Sequence, residues 1–151
     1  MSELSIEDLL EIVDGICSSV VGLPAVYETS GDKMNINGMA ASIVISGAWN
    51  GIVIVRTSIK YLNSVATKMF NANPKEVNDE DRADALCELT NMLGGTVKSL
   101  LPETCDLALP SIETVQSMGD EVGIKWYAFS CNNERFEIAV IPTSLTHARA
   151  A

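Results

Sequence analysis

The sequence is poor in the residues that most often build catalytic and metal centres. It has one histidine, His147, and four cysteines, which are far apart along the chain at Cys17, Cys87, Cys105 and Cys131. No two cysteines form a C-x-x-C pair, so the spacing typical of zinc sites is absent. We interpret the four thiols as small, reduced, mostly buried residues. Because the only histidine has no nucleophile in an elbow-like motif beside it, a hydrolase with a serine or cysteine nucleophile is poorly supported.

Basic residues and long apolar runs are also scarce. The chain has 10 Lys and Arg against 20 Asp and Glu, and its net charge of −10 argues against nucleic-acid binding. No apolar run approaches ~18 residues, and no basic region precedes an apolar run near the N-terminus. We therefore expect no membrane span, no signal peptide and a cytoplasmic location. With 47% hydrophobic and 20% charged residues over 151 positions, we expect one folded domain, residues 1–151.

The spacing of apolar and turn residues predicts helices and strands in a repeated order. One helix is predicted to begin at Ser5 and to end at Gly22 and Pro24, and a second covers 58–70. Strand-like runs, rich in β-branched residues, are predicted at 25–29, 40–46, 51–57, 110–117, 121–130 and 135–141. Together with a long helix between the two groups of strands, this order predicts an α+β fold. It also predicts an internal duplication, with pseudo-repeats at roughly 5–57 and 79–142.

The long helix, predicted at 81–102 with Asn78 as its cap, has two different faces. The apolar face, which we expect to be buried, consists of Leu86, Leu89, Leu93, Val97 and Leu100. The opposite face consists of Asp84, Glu88, Asn91, Gly95 and Lys98. A solvated surface is the ordinary explanation for such a polar face.

Two glycines in the middle of this helix favour a different explanation. Gly94 and Gly95 each cost ~0.5–1 kcal/mol of helix stability relative to alanine. For Gly94, a close contact inside the domain is as good an explanation as a contact with another protein. Gly95 lies on the outward face, where a bare backbone suggests that a second protein approaches closely.

A family resemblance rests on the same helix. The motif is Asp84-x-x-x-Glu88-x-x-Asn91, and it is followed by Met92, Gly95, Lys98 and Pro110. This pattern resembles the signature helix of the CheC/CheX/FliY chemotaxis phosphatases, and it is most similar to that of the single-copy CheX proteins. The resemblance implies a CheC-like fold, in which a duplicated α-β-β-β unit forms a mainly antiparallel sheet with two long adjacent helices.

The resemblance also implies a function, which is the dephosphorylation of the aspartyl phosphate of a CheY-like response regulator. Asn91 would orient the attacking water, and Glu88 would dock the partner by pairing with its lysine. A neutral amide suits this task, since its oxygen accepts a hydrogen bond from water while its NH₂ group faces an electron-rich oxygen. Further partner contacts are expected at Asp84, Gly95 and Lys98. We expect no metal or cofactor of the protein's own, and Mg²⁺ only on the regulator.

Two further expectations concern the first repeat and the alternatives. Glu11-x-x-Asp14 in the first half parallels Glu88-x-x-Asn91 in the second half. Because Asp14 would bring a negative charge to the phosphoryl group, we expect the first copy to be catalytically silent. The alternative function is a non-catalytic CheX-like module that binds a response regulator or a flagellar-switch component. An exposed edge of an antiparallel sheet, together with the resemblance to CheX, is also compatible with a homodimer through that edge, and the sequence leaves the oligomeric state open.

Overall fold

The computed structural model describes residues 5–28, 38–101, 104–113, 125–131 and 133–142. The predicted α+β class is confirmed, with helices and a mainly antiparallel sheet. The elements are α1 (Ile6–Val20), β1 (Val26–Tyr27), β2 (Gly38–Gly47), β3 (Gly51–Ser58), α2 (Ile59–Phe70), a 3-10 turn (Pro74–Glu76), α3 (Asp79–Leu100), β4 (Cys105–Leu107), β5 (Ser111–Glu113), β6 (Trp126–Cys131) and β7 (Glu134–Pro142).

The described strands form one sheet in the order β1-β6-β7-β3-β2-β4, and β5 also pairs with β2. Every strand pair is antiparallel. The order is the same on both sides of the central β3–β7 pair. On each side the central strand pairs with its neighbour in sequence, β3 with β2 and β7 with β6, and a short strand from the other half of the chain lies outside that pair. This arrangement supports the predicted duplication, which stays a prediction.

Side-chain caps define where the two longest helices begin. At α1, the Ser5 hydroxyl accepts a hydrogen bond from the Asp8 amide at 3.0 Å, and the Asp8 carboxylate accepts one from the Ser5 amide. At α3, Asn78 and Asp81 make the same reciprocal pair. Both pairs satisfy N–H groups that would otherwise lack partners at a helix start. The predicted start of α1 and the predicted cap of α3 therefore have a direct physical basis.

The helices pack on one face of the sheet and bury its core. Four of the five residues in the predicted apolar stripe of α3 are buried: Leu86, Leu89, Leu93 and Val97. The prediction for Leu100 was wrong, since its side chain is 49% exposed. Leu100 is in the last turn of α3, where it lines a surface groove towards α1 and does not pack on the sheet.

A buried ion pair lies where the two central strands meet. Arg56 of β3 and Glu137 of β7 are directly paired across the strands, and the Arg56 Nε donates to the Glu137 Oε1. Both side chains are at most 10% exposed. The Arg56 guanidinium also lies over the Trp126 ring, 3.8 Å from its centroid. These contacts compensate the cost of burying the two charges.

The structure has one strand that was not predicted, and some predictions lie outside the described residues. The strand β4, which pairs with the end of β2, was not predicted. Of the predicted strands at 110–117 and 121–130, the described parts form β5 and β6. The predicted turn at Gly119 and Asp120, and also His147, lie outside the described residues.

Two further observations concern the surroundings of the protein. Within the described ranges, no helix is long and apolar enough to cross a membrane. The outer strands of the described sheet are β1 on one side and β4 with β5 on the other. The predicted homodimer through such an edge stays a prediction.

Candidate functional site

The helix α3 lies close against the sheet because Gly94 has no side chain. A Cβ added at Gly94 would lie 2.9 Å from Ile43 Cγ2 and 3.1 Å from Leu107 Cδ1. Both contacts are tighter than van der Waals packing allows, so only glycine fits without a shift of its neighbours. Of the two explanations left open for Gly94, the structure therefore supports the contact inside the domain. This contact fixes which face of α3 points outward.

The outward face presents the motif residues at the surface. Asp84, Glu88 and Asn91 are exposed, and Lys98 is half-buried. A Cβ added at Gly95 would meet no atom within 4 Å, so the backbone there is open to the surroundings. The sequence thus placed all five residues on the correct side of the helix.

The side chains of the motif are also unengaged. Asp84, Glu88, Asn91 and Lys98 form no hydrogen bond or ion pair with any residue that the structure describes. The hydroxyl groups of nearby residues on α3, in contrast, donate hydrogen bonds to backbone carbonyl groups of the same helix: Thr90 to Leu86, Thr96 to Met92 and Ser99 to Thr96. Both ends of the Asn91 amide therefore remain available to a ligand or partner.

The described cysteines and acidic residues offer neither an activated thiol nor a metal site. Partial burial, and secondarily the nearby Asp84 carboxylate, raise the pKa of the Cys87 thiol. A thiol with a raised pKa is a poor nucleophile at neutral pH. Burial also raises the pKa of the Cys17 thiol to about 12, which argues against a second cysteine as a nucleophile. Among the described residues, no group of three or more His, Cys, Asp or Glu side chains is arranged to hold a metal ion.

The equivalent position on α1 has a different environment. The Asp14 Oδ1 accepts a hydrogen bond from the Ala25 amide at 3.0 Å, so this carboxylate joins the end of α1 to the segment that enters β1. Glu11, three residues earlier, is exposed and forms no hydrogen bond or ion pair with a described residue. The two copies of the motif are therefore not equivalent in structure.

Sequence reasoning missed a groove between α1 and α3, beside the motif. It has a volume of about 430 Å³ and is lined on the α3 side by Met92, Thr96 and Leu100. On the α1 side the lining includes Glu11 and Gly15. One signal was present in the sequence, because Glu88, Met92, Thr96 and Leu100 are four residues apart and lie on one row along the helix.

Comparisons with known proteins identify the family. The family model described as chemotaxis phosphatase CheX matches residues 39–121, which is more than half of the chain and includes all of α3. A sequence comparison with curated proteins finds no significant match.

Solved structures share the fold at low sequence identity. CheX from Vibrio vulnificus superposes with a TM-score of 0.72 and 17% identity, over 93% of this chain and 99% of that chain. CheX from Desulfovibrio desulfuricans gives a TM-score of 0.67 and 21% identity, over 88% and 95% of the two chains. The CheX-CheY-BeF3-Mg²⁺ complex from Borrelia burgdorferi gives 0.69 and 17%, over 92% and 98%. The family model, the fold and the outward motif on α3 agree with the resemblance found in the sequence, and the chain belongs to the CheX family of chemotaxis phosphatases.

Proposed function

We propose that this protein dephosphorylates the aspartyl phosphate of a CheY-like response regulator. In this proposal Asn91 orients the attacking water and Glu88 docks the partner. The observation that carries the proposal is the Asn91 amide, which is exposed, has no described partner, and lies one helical turn from an exposed glutamate. Membership in the CheX family supports it.

The surface around Asn91 suits a protein substrate better than a small molecule. Glu88 and Asn91 are exposed on the outward face of α3, so the partner must supply the rest of the reaction site. Gly95 leaves the backbone bare one turn after Asn91, where no atom lies within 4 Å of an added Cβ. A partner backbone or loop can therefore approach α3 closely at this place.

The chemistry requires little from the protein beyond orientation. Water attacks phosphorus, a new P–O bond forms, and the bond to the aspartate oxygen breaks as the carboxylate leaves with the electron pair. Because a carboxylate is a good leaving group, no general acid is needed, and the water proton passes to phosphate or solvent. The Asn91 oxygen accepts a hydrogen bond from the water, while its NH₂ group avoids the repulsion that a carboxylate would cause.

The remaining motif residues would act in docking. Glu88 would form a charge-assisted contact with a regulator lysine, and Asp84 would extend the same acidic surface. Lys98, at the other end of the face, would contact the partner directly. Mg²⁺ would belong to the regulator's own acidic site, in line with the CheX-CheY-BeF3-Mg²⁺ complex from Borrelia burgdorferi. A cytoplasmic location is part of the same proposal.

The proposal is tested by following acyl-phosphate decay of a phosphorylated CheY-like regulator with and without the protein. Replacing Asn91 with alanine should slow the stimulated decay by ~10²–10³-fold, because one well-placed hydrogen-bonding group is lost. Binding to the regulator should remain, since Asn91 acts mainly on the water. The control is Ser99→Ala on the same helix, whose hydroxyl bonds to the Thr96 carbonyl at 2.7 Å and whose loss should leave the rate unchanged.

The same assay distinguishes the proposed phosphatase activity from the alternative, non-catalytic function. A protein that binds the phosphorylated regulator without accelerating decay would be a non-catalytic module. A decay rate that is unchanged in Asn91→Ala would contradict the role of this amide, even if the wild-type protein is active.

A further inference from the structure

We propose that the same response regulator also docks in the groove between α1 and α3. The groove receives an apolar side chain of the regulator, and a basic residue of the regulator lies beside that side chain. This proposal rests on the proposed function, and it concerns affinity and partner choice, not the hydrolysis step. The groove is defined by Glu11 and Gly15 on α1 and by Met92, Thr96 and Leu100 on α3.

The groove is continuous with the outward face of α3. Met92 and Thr96 directly follow Asn91 and Gly95, and they lie on the same row of the helix as Glu88. A protein placed over Glu88 and Asn91 therefore reaches the groove without leaving the surface. Stable protein complexes bury about 800 Å² on each partner, which the few residues of one helix face do not provide. Contact with the groove extends the interface on the side where α1 lies.

The lining of the groove indicates the chemistry of its occupant. Its floor is apolar, since Ile12 is buried, Ile16 and Met92 are half-buried, and Leu100 is 49% exposed. An exposed leucine beside a methionine favours an apolar partner side chain, because flexible thioether groups adapt to what packs on them.

Charge complementarity defines the rest of the occupant. Glu11 lines the groove, is exposed, and has no partner among the described residues. Asp8, a second acidic residue of the lining, already accepts the Ser5 amide in the helix cap. Glu11 is thus the group available to a cation, and the net charge of −10 favours a basic partner surface generally.

Gly15 gives the groove its depth on the α1 side. A Cβ added there would meet no atom within 4 Å, so a larger residue would fill the groove without disturbing the fold. Glycine in the middle of a helix costs stability relative to most other residues, and no described residue packs closely enough to require it here. A partner side chain that occupies the groove explains why α1 has a glycine at position 15.

The test measures binding and turnover separately with the BeF3⁻–Mg²⁺ form of a CheY-like regulator and with its phosphorylated form. The variant Gly15→Gln should raise the Kd and the KM by about tenfold or more, because the side chain occupies the groove. The kcat at saturating regulator should stay within about twofold, since the groove contact is equal in the ground and transition states. The variant Glu11→Lys should also weaken binding, and less strongly at high salt.

Matched controls come from the same helix. Ser18→Gln adds the same side chain at an exposed position outside the groove, and Glu7→Lys makes the same charge reversal there. Both should bind as the wild type does, and circular dichroism with thermal unfolding checks that every variant is folded.

The outcomes distinguish this inference from the proposed function. If Gly15→Gln and Glu11→Lys bind the regulator as tightly as their controls while wild-type decay is fast, the groove proposal is overturned and the proposed function stands. If the wild-type protein neither binds the regulator nor accelerates its decay, both fail. If Gly15→Gln changes the oligomeric state of the free protein in sedimentation measurements, a second copy of this chain occupies the groove, and the proposal is wrong.

Discussion

Replacing Gly95 by alanine is expected to stabilise the folded protein, whereas the same change at Gly94 is expected not to. In the middle of a helix, alanine is favoured over glycine by about 1 kcal/mol. At Gly95 no atom lies within 4 Å of an added Cβ, so this gain has no packing cost. We expect the free energy of unfolding to rise by about 0.5–1 kcal/mol.

At Gly94 the same helix gain is opposed by packing. The new methyl group would lie 2.9 Å from Ile43 Cγ2 and 3.1 Å from Leu107 Cδ1. The Ile43 methyl is attached at its Cβ, close to the backbone of β2, so it cannot move away freely. Forcing extra carbon into a packed core costs about 1–3 kcal/mol, which cancels or exceeds the gain. The two variants should therefore differ by about 1–3 kcal/mol in stability.

The assay is guanidinium denaturation of the wild type and both variants, with the slope of each transition compared first. If the slopes agree, the difference in midpoints gives the difference in the free energy of unfolding. Equal stabilisation by both substitutions would refute the close packing of α3 on the sheet at Gly94. A loss of stability in Gly95→Ala would refute the open outward face, on which the docking surface depends.

Two further predictions concern other parts of the fold. Asp14→Ala should lower the free energy of unfolding by about 1–3 kcal/mol, because the Ala25 amide loses its acceptor, yet leave phosphatase activity unchanged. Asp14→Asn keeps an acceptor for the Ala25 amide and should recover most of the lost stability. A folded Asp14→Ala protein without activity would show that α1 takes part in the chemistry. Glu137→Gln should lower the free energy of unfolding by about 1.5–3 kcal/mol in thermal or chemical denaturation, because Arg56 and Arg135 both lose the carboxylate charge with which they pair. A cost below about 1 kcal/mol would mean that the pair is solvated.

Local signals in the sequence predicted the helix ends and the polar face of α3. Ser5 with Asp8, and Asn78 before the acidic start of α3, act through side chains close in sequence, so the capping geometry follows from the residues themselves. The faces of α3 follow from a period of 3.6 residues, which needs no knowledge of the rest of the fold.

Features that depend on distant contacts were not predictable in this way. The strand β4 has only three residues and exists because the end of β2 offers it hydrogen bonds. Leu100 continues the apolar period of α3, but it lines the groove towards α1 and stays largely exposed, which the period alone does not reveal. The explanation for Gly94 required Ile43 and Leu107, which are about 50 and 13 residues away along the chain.

The difference between the two copies of the motif also comes from tertiary structure and helix length. The last residue of α1, Val20, is six residues after Asp14, and the chain then returns to the sheet so that the Ala25 amide reaches the Asp14 carboxylate. In α3 the helix continues for nine residues after Asn91, to Leu100. At 1.5 Å per residue, this places the end of α3 about 13 Å beyond Asn91, whereas α1 ends about 9 Å beyond Asp14. The longer helix α3 therefore leaves the Asn91 side chain without a backbone partner, whereas in the shorter helix α1 the Asp14 side chain joins the helix to the segment before β1. An asparagine at position 14 would accept the same hydrogen bond.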